Sequence, residues 1–124
     1  MCALINEDIV KEIERIAKQS GYRVEKRGEK IVVLHPSAPL YIEVFESSSG
    51  VTVRIGHENL RDYVREVLDT EDNPREYIED LLDDVSSIAV RITEALRRKG
   101  ISVSSDTRTA VMDVLEELEE AEEE

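Results

Sequence analysis

Residues 74–99 carry a helical apolar period with no interruption. Ile78, Leu81, Val85, Ile88, Ile92 and Ala95 follow one another at steps of three, four, three, four and three. That is the a/d seam of a packed helix, and Tyr77, Leu82, Ala89 and Leu96 widen it into a broad face. The ends are marked as clearly as the middle. Asn73 stands at the cap position, Pro74 takes the first turn, and Glu76 follows the cap by three residues, as in a capping box. Acids fill the first turns, Arg97, Arg98 and Lys99 fill the last, and Gly100 supplies the stop. At about 1.5 Å per residue the rod spans about 40 Å, more than a small sheet of short strands needs. Its surplus apolar length must lie against the final helix, a second copy of the chain, or a partner. The expected association surface is therefore Tyr77, Ile78, Leu81, Leu82, Val85, Ile88 and Ile92, joined by Val111, Val114 and Leu115 of the last helix. A homodimer is the expected assembly.

The segments before this rod change period. Asn6 caps a first helix that carries Ile9, Val10, Ile13, Ile16 and Ala17 on one face and stops at Gly21. Residues 22–55 then read as strands. Tyr22–Lys26 and Lys30–Leu34 flank a turn at Gly28, and Tyr41–Glu46 and Val51–Ile55 flank Ser47-Ser48-Ser49-Gly50. Between the two pairs lies His35-Pro36-Ser37-Ala38-Pro39, whose prolines cannot donate ladder hydrogen bonds, so it is a loop. Leu60, Tyr63, Val64, Val67 and Leu68 mark a helix before the rod. After it, Ile101–Ser104 forms a short fifth strand or an extended connector. Ser105 or Asp106 caps a last helix bearing Ala110, Val111, Val114, Leu115 and Leu118. The expected fold is α+β: a four-stranded antiparallel meander with an N-terminal helix and three C-terminal helices, one of them long. Residues 1–118 make one domain, and the glutamates of 119–124 form a frayed acidic tail.

Charge divides the chain. Of its 29 acids and 16 bases, eight of each fall within residues 1–57, so the whole net charge of −13 belongs to residues 58–124. Two clusters dominate: eight acids against Arg75 from Asp69 to Asp84, and seven acids with no base from Glu116 to Glu124. Such a field repels duplex DNA and anionic membranes and attracts basic partners or cations. Asn and Gln are scarce beside plentiful Glu, Arg, Ile and Val, a balance seen in heat-adapted proteins; a mesophilic melting temperature would count against that source. No apolar run approaches the length of a membrane span, and the first residues lack an export signal, so a soluble cytoplasmic protein is expected.

Motifs for chemistry are sparse. Cys2 is the single cysteine, which excludes an internal disulfide and a cysteine zinc site, and no base or histidine near it in sequence activates its thiol. His35 and His57 belong to no metal-binding pattern, and loop or capping roles suit them better than those of ligand or general base. The serines before Gly50 lack a nucleophile elbow, and no phosphate-binding glycine motif occurs. Glu76, Glu79, Asp80, Asp83 and Asp84 lie at helical spacing; a divalent cation is one reading, and a solvated acidic face is the plainer one. Arg23, Lys26, Arg27 and Lys30 gather at the first hairpin, diluted by Glu25 and Glu29, and read better as edge protection than as a nucleic-acid contact. No catalytic residue, metal or cofactor is assigned. The sequence favours a non-enzymatic acidic protein-binding or assembly module, adaptor- or chaperone-like, with a basic protein as a further partner. Two alternatives stand behind it: a small enzyme whose pocket gathers Glu43, Glu46, Asp80 and His57, and an acidic mimic of nucleic acid that fills a basic groove.

Overall fold

A computed structural model describes residues 4–123. Nine elements follow in order: α1 (Glu7–Gln19), β1 (Arg23–Arg27), β2 (Lys30–Leu34), β3 (Leu40–Ser47), β4 (Gly50–His57), α2 (Leu60–Thr70), α3 (Pro74–Arg98), β5 (Val103–Asp106) and α4 (Arg108–Glu122). The class is α+β, helix first, then strands, then helices.

The five strands form one sheet in the order β1-β2-β3-β4-β5. The first four make the antiparallel meander, but β5 joins β4 in parallel, Val51 opposite Val103 and Arg54 opposite Asp106. A parallel neighbour requires a crossover, and α2 with α3 provides it. The fifth strand thus begins two residues later than Ile101 and makes the sheet mixed. Gly50 permits its arrival: with φ 135° it turns the β3–β4 hairpin, and a Cβ there would lie 2.3 Å from the Ser102 carbonyl oxygen. That same carbonyl accepts from the Val51 amide at 2.9 Å.

Alternation along the strands puts Ile31, Val33, Ile42, Val44, Val51, Val53 and Ile55 on one face, all of them buried. α3 lies across β3, β4 and β5 on that face, α1 packs beside it over β1, and α4 packs on α2 and β4. The core is a single cluster drawn from every helix and from the helix-covered face of the sheet.

Local capping explains most of the boundaries. Asn6 Oδ1 accepts from the Ile9 amide at 3.1 Å and caps α1. Asn73 and Pro74 start α3 where the sequence places them, yet the Asn73 side chain makes no capping hydrogen bond, so the capping box is not formed. α4 starts after Thr107, and its capping acceptor is Asp106, whose carboxylate takes the Thr109 amide at 3.1 Å and the Thr109 hydroxyl at 2.8 Å. The acidic end continues α4 to Glu122 rather than fraying from residue 119, because Leu118 is buried and Ala121 packs against the core. Cys2 lies outside the described residues. No helix among the described residues is long and apolar enough to cross a membrane.

Candidate functional site

The long seam of α3 is consumed by its own chain. Ile78, Leu81, Leu82, Val85, Ile88 and Ile92 are all buried, as is Val114 of α4, while Val111 and Leu115 are half-buried against the same core. Only Tyr77, at 39 % exposure, remains open. The expectation that this seam outlasts its cover is corrected: the sheet, α1 and α2 together cover it.

The acids gather at one corner of the fold. Glu76, Glu79, Asp80 and Asp83 recur along an exposed stripe at the start of α3. The C-terminal turns of α4 reach the same corner, where Arg75 lies 3.9 Å from Glu79 and 3.8 Å from Glu122. A shallow depression there is lined by Asn73, Pro74, Glu76, Glu79 and Glu122, and a second one beside it by Arg65, Asp69 and Ala121. Two acidic segments some forty residues apart in sequence thereby become one surface. No three Asp, Glu, His or Cys side chains among the described residues approach closely enough to hold a metal ion.

Asp84, the fifth acid of the predicted face, has a different task. It accepts a 2.7 Å hydrogen bond from the Tyr22 hydroxyl and lies 3.9 Å from His35 Nε2. The Tyr22 and His35 rings meet edge to face with centroids 5.2 Å apart. His35 Nδ1 accepts from the amides of Ser37 at 3.1 Å and Ala38 at 2.9 Å, so the neutral ring carries its proton on Nε2, facing Asp84. Burial holds the His35 pKa below its ordinary value, against the opposing pull of Asp84. Burial, then the Asp84 bond and charge, push the Tyr22 phenol far above its usual range. Sequence reasoning gave His35 a loop role and missed its link to Asp84, 49 positions away; the proline on its C-terminal side was the only hint of a fixed loop.

The loop that His35 organises forms one wall of an open cleft of about 440 Å³, and the start of α2 forms the other. His35 donates to the Leu40 carbonyl at 3.0 Å and closes the loop on itself, while Glu58 donates to the Pro39 carbonyl at 3.2 Å and ties the loop to the approach to α2. Asn59 enters α2 in the left-handed region, φ 52°, with no side-chain capping bond. On the α2 wall stand Glu58, Asp62, Tyr63 and Glu66. The Tyr63 hydroxyl is buried and lacks a hydrogen-bond partner of good geometry. Burial raises its pKa most, and the adjoining Tyr77 phenol adds to the rise.

The helix-free face of the sheet is charged but internally matched. Glu25 bridges Arg23 at 3.5 Å and Arg27 at 3.0 Å; Glu43 bridges Lys30 at 3.0 Å and Arg54 at 3.5 Å. Lys30 and Arg54 both lie over the Phe45 ring, each 4.9 Å from its centroid. Tyr41 rests on Gly56, where a Cβ would come within 2.5 Å of the ring. Under these side chains Val32 is 2 % exposed and Glu43 8 %, although no helix lies over them. Phe45 is capped by cations and offers no bare ring for a base to stack on.

The residues of the enzyme alternative do not gather. Glu43 is in the ion pairs just described, and Glu46 points to the opposite face, where its carboxylate takes the Leu4 and Ile5 amides. His57 Nε2 lies 3.2 Å from Asp113 of α4, and Asp80 sits on the exposed stripe of α3. Among the principal cavities only one is lined by any of the four, and it holds Glu46 alone. No family of known proteins, no curated protein and no solved structure matches this chain.

Proposed function

We propose that this chain is a non-enzymatic, acidic protein-binding module that docks a basic protein on the corner shared by the start of α3 and the ends of α2 and α4. The observation that carries the reading is the meeting of the two acidic segments across Arg75, which lies near both Glu79 and Glu122. Acids from two separate stretches of sequence share this corner, and a concentrated field steers and orients a cationic partner far better than a dispersed one. Tyr77, 39 % exposed, follows Glu76 in the first turns of α3, and a half-exposed tyrosine near carboxylates suits a basic surface.

Titration of the full chain with octalysine at low ionic strength tests the reading. Binding should weaken steeply with added salt, and Glu119→Lys with Glu120→Lys should reduce affinity by about tenfold or more. No binding of the peptide, or binding indifferent to these reversals, would remove the reading.

A further inference from the structure

α4 carries its charge against its own dipole. α1 opens with Glu7 and Asp8 and closes with Lys18, and α3 opens with Glu76 and closes with Arg97 and Arg98, so acids meet the positive pole and bases the negative one. α4 alone among the four helices has neither an acid in its first turn nor a base in its last. Asp106 caps its start from outside, but within the helix Arg108 stands first and Glu116, Glu117, Glu119, Glu120 and Glu122 crowd the end. Arg75 lies near Glu122, whereas no ion pair among the described residues engages Arg108.

The same helix holds Met112, 61 % exposed and the most open large hydrophobic side chain among the described residues. A lone exposed methionine means little, but its neighbours along the helix give this one a context. Arg108, Met112, Leu115 and Glu119 follow at steps of four, three and four, which places them on one stripe. Arg108 and Glu119 are exposed, and Leu115 is half-buried, as is Val111 one turn before it. The stripe is thus an apolar centre with a base at one end and an acid at the other. Reversed end for end, that order is its own complement.

We infer that two copies of the chain pair through this stripe with their α4 helices antiparallel. A two-fold axis between residues 113 and 114 sets Met112 against Leu115 of the second copy and Arg108 against Glu119 of the second copy, and each contact occurs twice. The acidic end of each helix then lies beside the positive pole and the Arg108 of the other, which relieves the mismatch with its own dipole. Parallel pairing sets Arg108 on Arg108 and the two acidic ends together, so charge selects the antiparallel sense. Arg108 also repels a cationic partner, so a second copy suits this stripe better than the basic protein of the acidic corner does. Two apolar side chains from each copy fall short of the roughly 20–30 residues a side of a standard stable interface, so the pairing is weak and concentration-dependent.

Sedimentation equilibrium of the full chain tests the pairing with no basic peptide present. Runs reach about 1 mM chain, in about 0.15 M salt, which screens charges farther apart than about 8 Å. The mass of the parent should rise from one chain toward two as concentration increases. Met112→Glu should weaken association about tenfold or more and leave the melting temperature close to the parent's, because that side chain is already open to water. Arg108→Glu should weaken it about tenfold, since the symmetry removes two ion pairs at once, and adding Glu119→Arg to the same chain should restore it. A parent that stays monomeric throughout, or association indifferent to Met112→Glu, overturns the inference. Failure of the double swap to recover what Arg108→Glu removes overturns the antiparallel pairing. Octalysine binding to the acidic corner is read separately and stands or falls by itself.

Discussion

Tyr22 donates to Asp84 across 62 positions of sequence, and that 2.7 Å hydrogen bond ties the residue leading into β1 to the middle of α3. The acceptor is half-exposed while the donor is buried, so the two ends of the bond are not equivalent. Asp84→Ala strands a buried phenol and should cost about 1–3 kcal/mol, whereas Tyr22→Phe frees a carboxylate that water can reach and should cost about 1 kcal/mol. Urea denaturation of both single variants and the double variant checks this. The double variant should fall short of the sum, since each change removes the same bond.

His35 makes stability depend on pH in one direction. Its folded pKa lies below the ordinary value near 6.5, so the folded state holds the neutral ring while the unfolded state takes up a proton first. Stability is therefore complete above the unfolded pKa and declines as pH falls through 6.5 toward the folded value. Protonation at Nδ1 would also break the two amide bonds that shape the loop. The groups facing the ring are Tyr22 from the approach to β1 and Asp84 from α3, with Glu58, Asp62 and Arg23 along the cleft. His35→Asn, which keeps an acceptor near the Nδ1 position, should flatten the melting-temperature profile in the range just below pH 6.5. A profile as steep as the parent's would show that other groups cause the decline.

The fate of the α3 seam gives a contrast within one helix. Ile92 is fully buried, and Ile92→Ala should cost about 2–5 kcal/mol through lost burial and the cavity left behind. Val90, two positions earlier and 48 % exposed, should change stability by no more than about 0.5 kcal/mol when cut to alanine. Thermal melts measured over a range of protein concentrations check both values. A surface seam would give concentration-dependent melts for Ile92→Ala, and an internal one gives a fixed loss.

Glu43 is a buried charge answered by two half-exposed cations. Glu43→Gln releases Lys30 and Arg54 to solvent and should cost about 1 kcal/mol. The converse double change, Lys30→Met with Arg54→Met, leaves the carboxylate without an answering charge and should cost about 3 kcal/mol or more. Chemical denaturation near neutral pH ranks the two. The reverse order would mean that the carboxylate is better hydrated than its 8 % exposure implies.

Much of the fold was legible from spacing because each feature is local. The seam of α3, the stop at Gly100, the cap at Asn6 and the alternation of Val51, Val53 and Ile55 each depend on neighbours within a few residues. What covers a seam is not local, and period alone does not separate α1 and a sheet from a second chain. The parallel docking of β5 was hidden for the same reason: four residues carry too short a pattern, and their partner lies about fifty positions back. The candidate site was legible in composition and illegible in place. Two acidic runs were plain in the sequence, but their union depends on α4 returning to the start of α3. The Tyr22–Asp84–His35 group draws on three elements and leaves no motif. Asp84 lies on the solvated stripe its spacing suggests, yet it also holds Tyr22, a second task the spacing does not reveal.

The one-sided sheet also has a consequence for biogenesis. Residues 23–57 leave the ribosome as a meander whose pairing is short-range, yet the part of its apolar face that α1 does not cover waits for a helix made later. Until α3 has emerged, Ile42, Val44 and Val53 look into water, and β4 shows a naked edge where β5 will eventually lie. The nascent chain is most sticky in that interval, and a pause in translation before residue 98 prolongs it. Residues 74–106 close the gap, so truncation that removes them should yield aggregates rather than a smaller soluble fold.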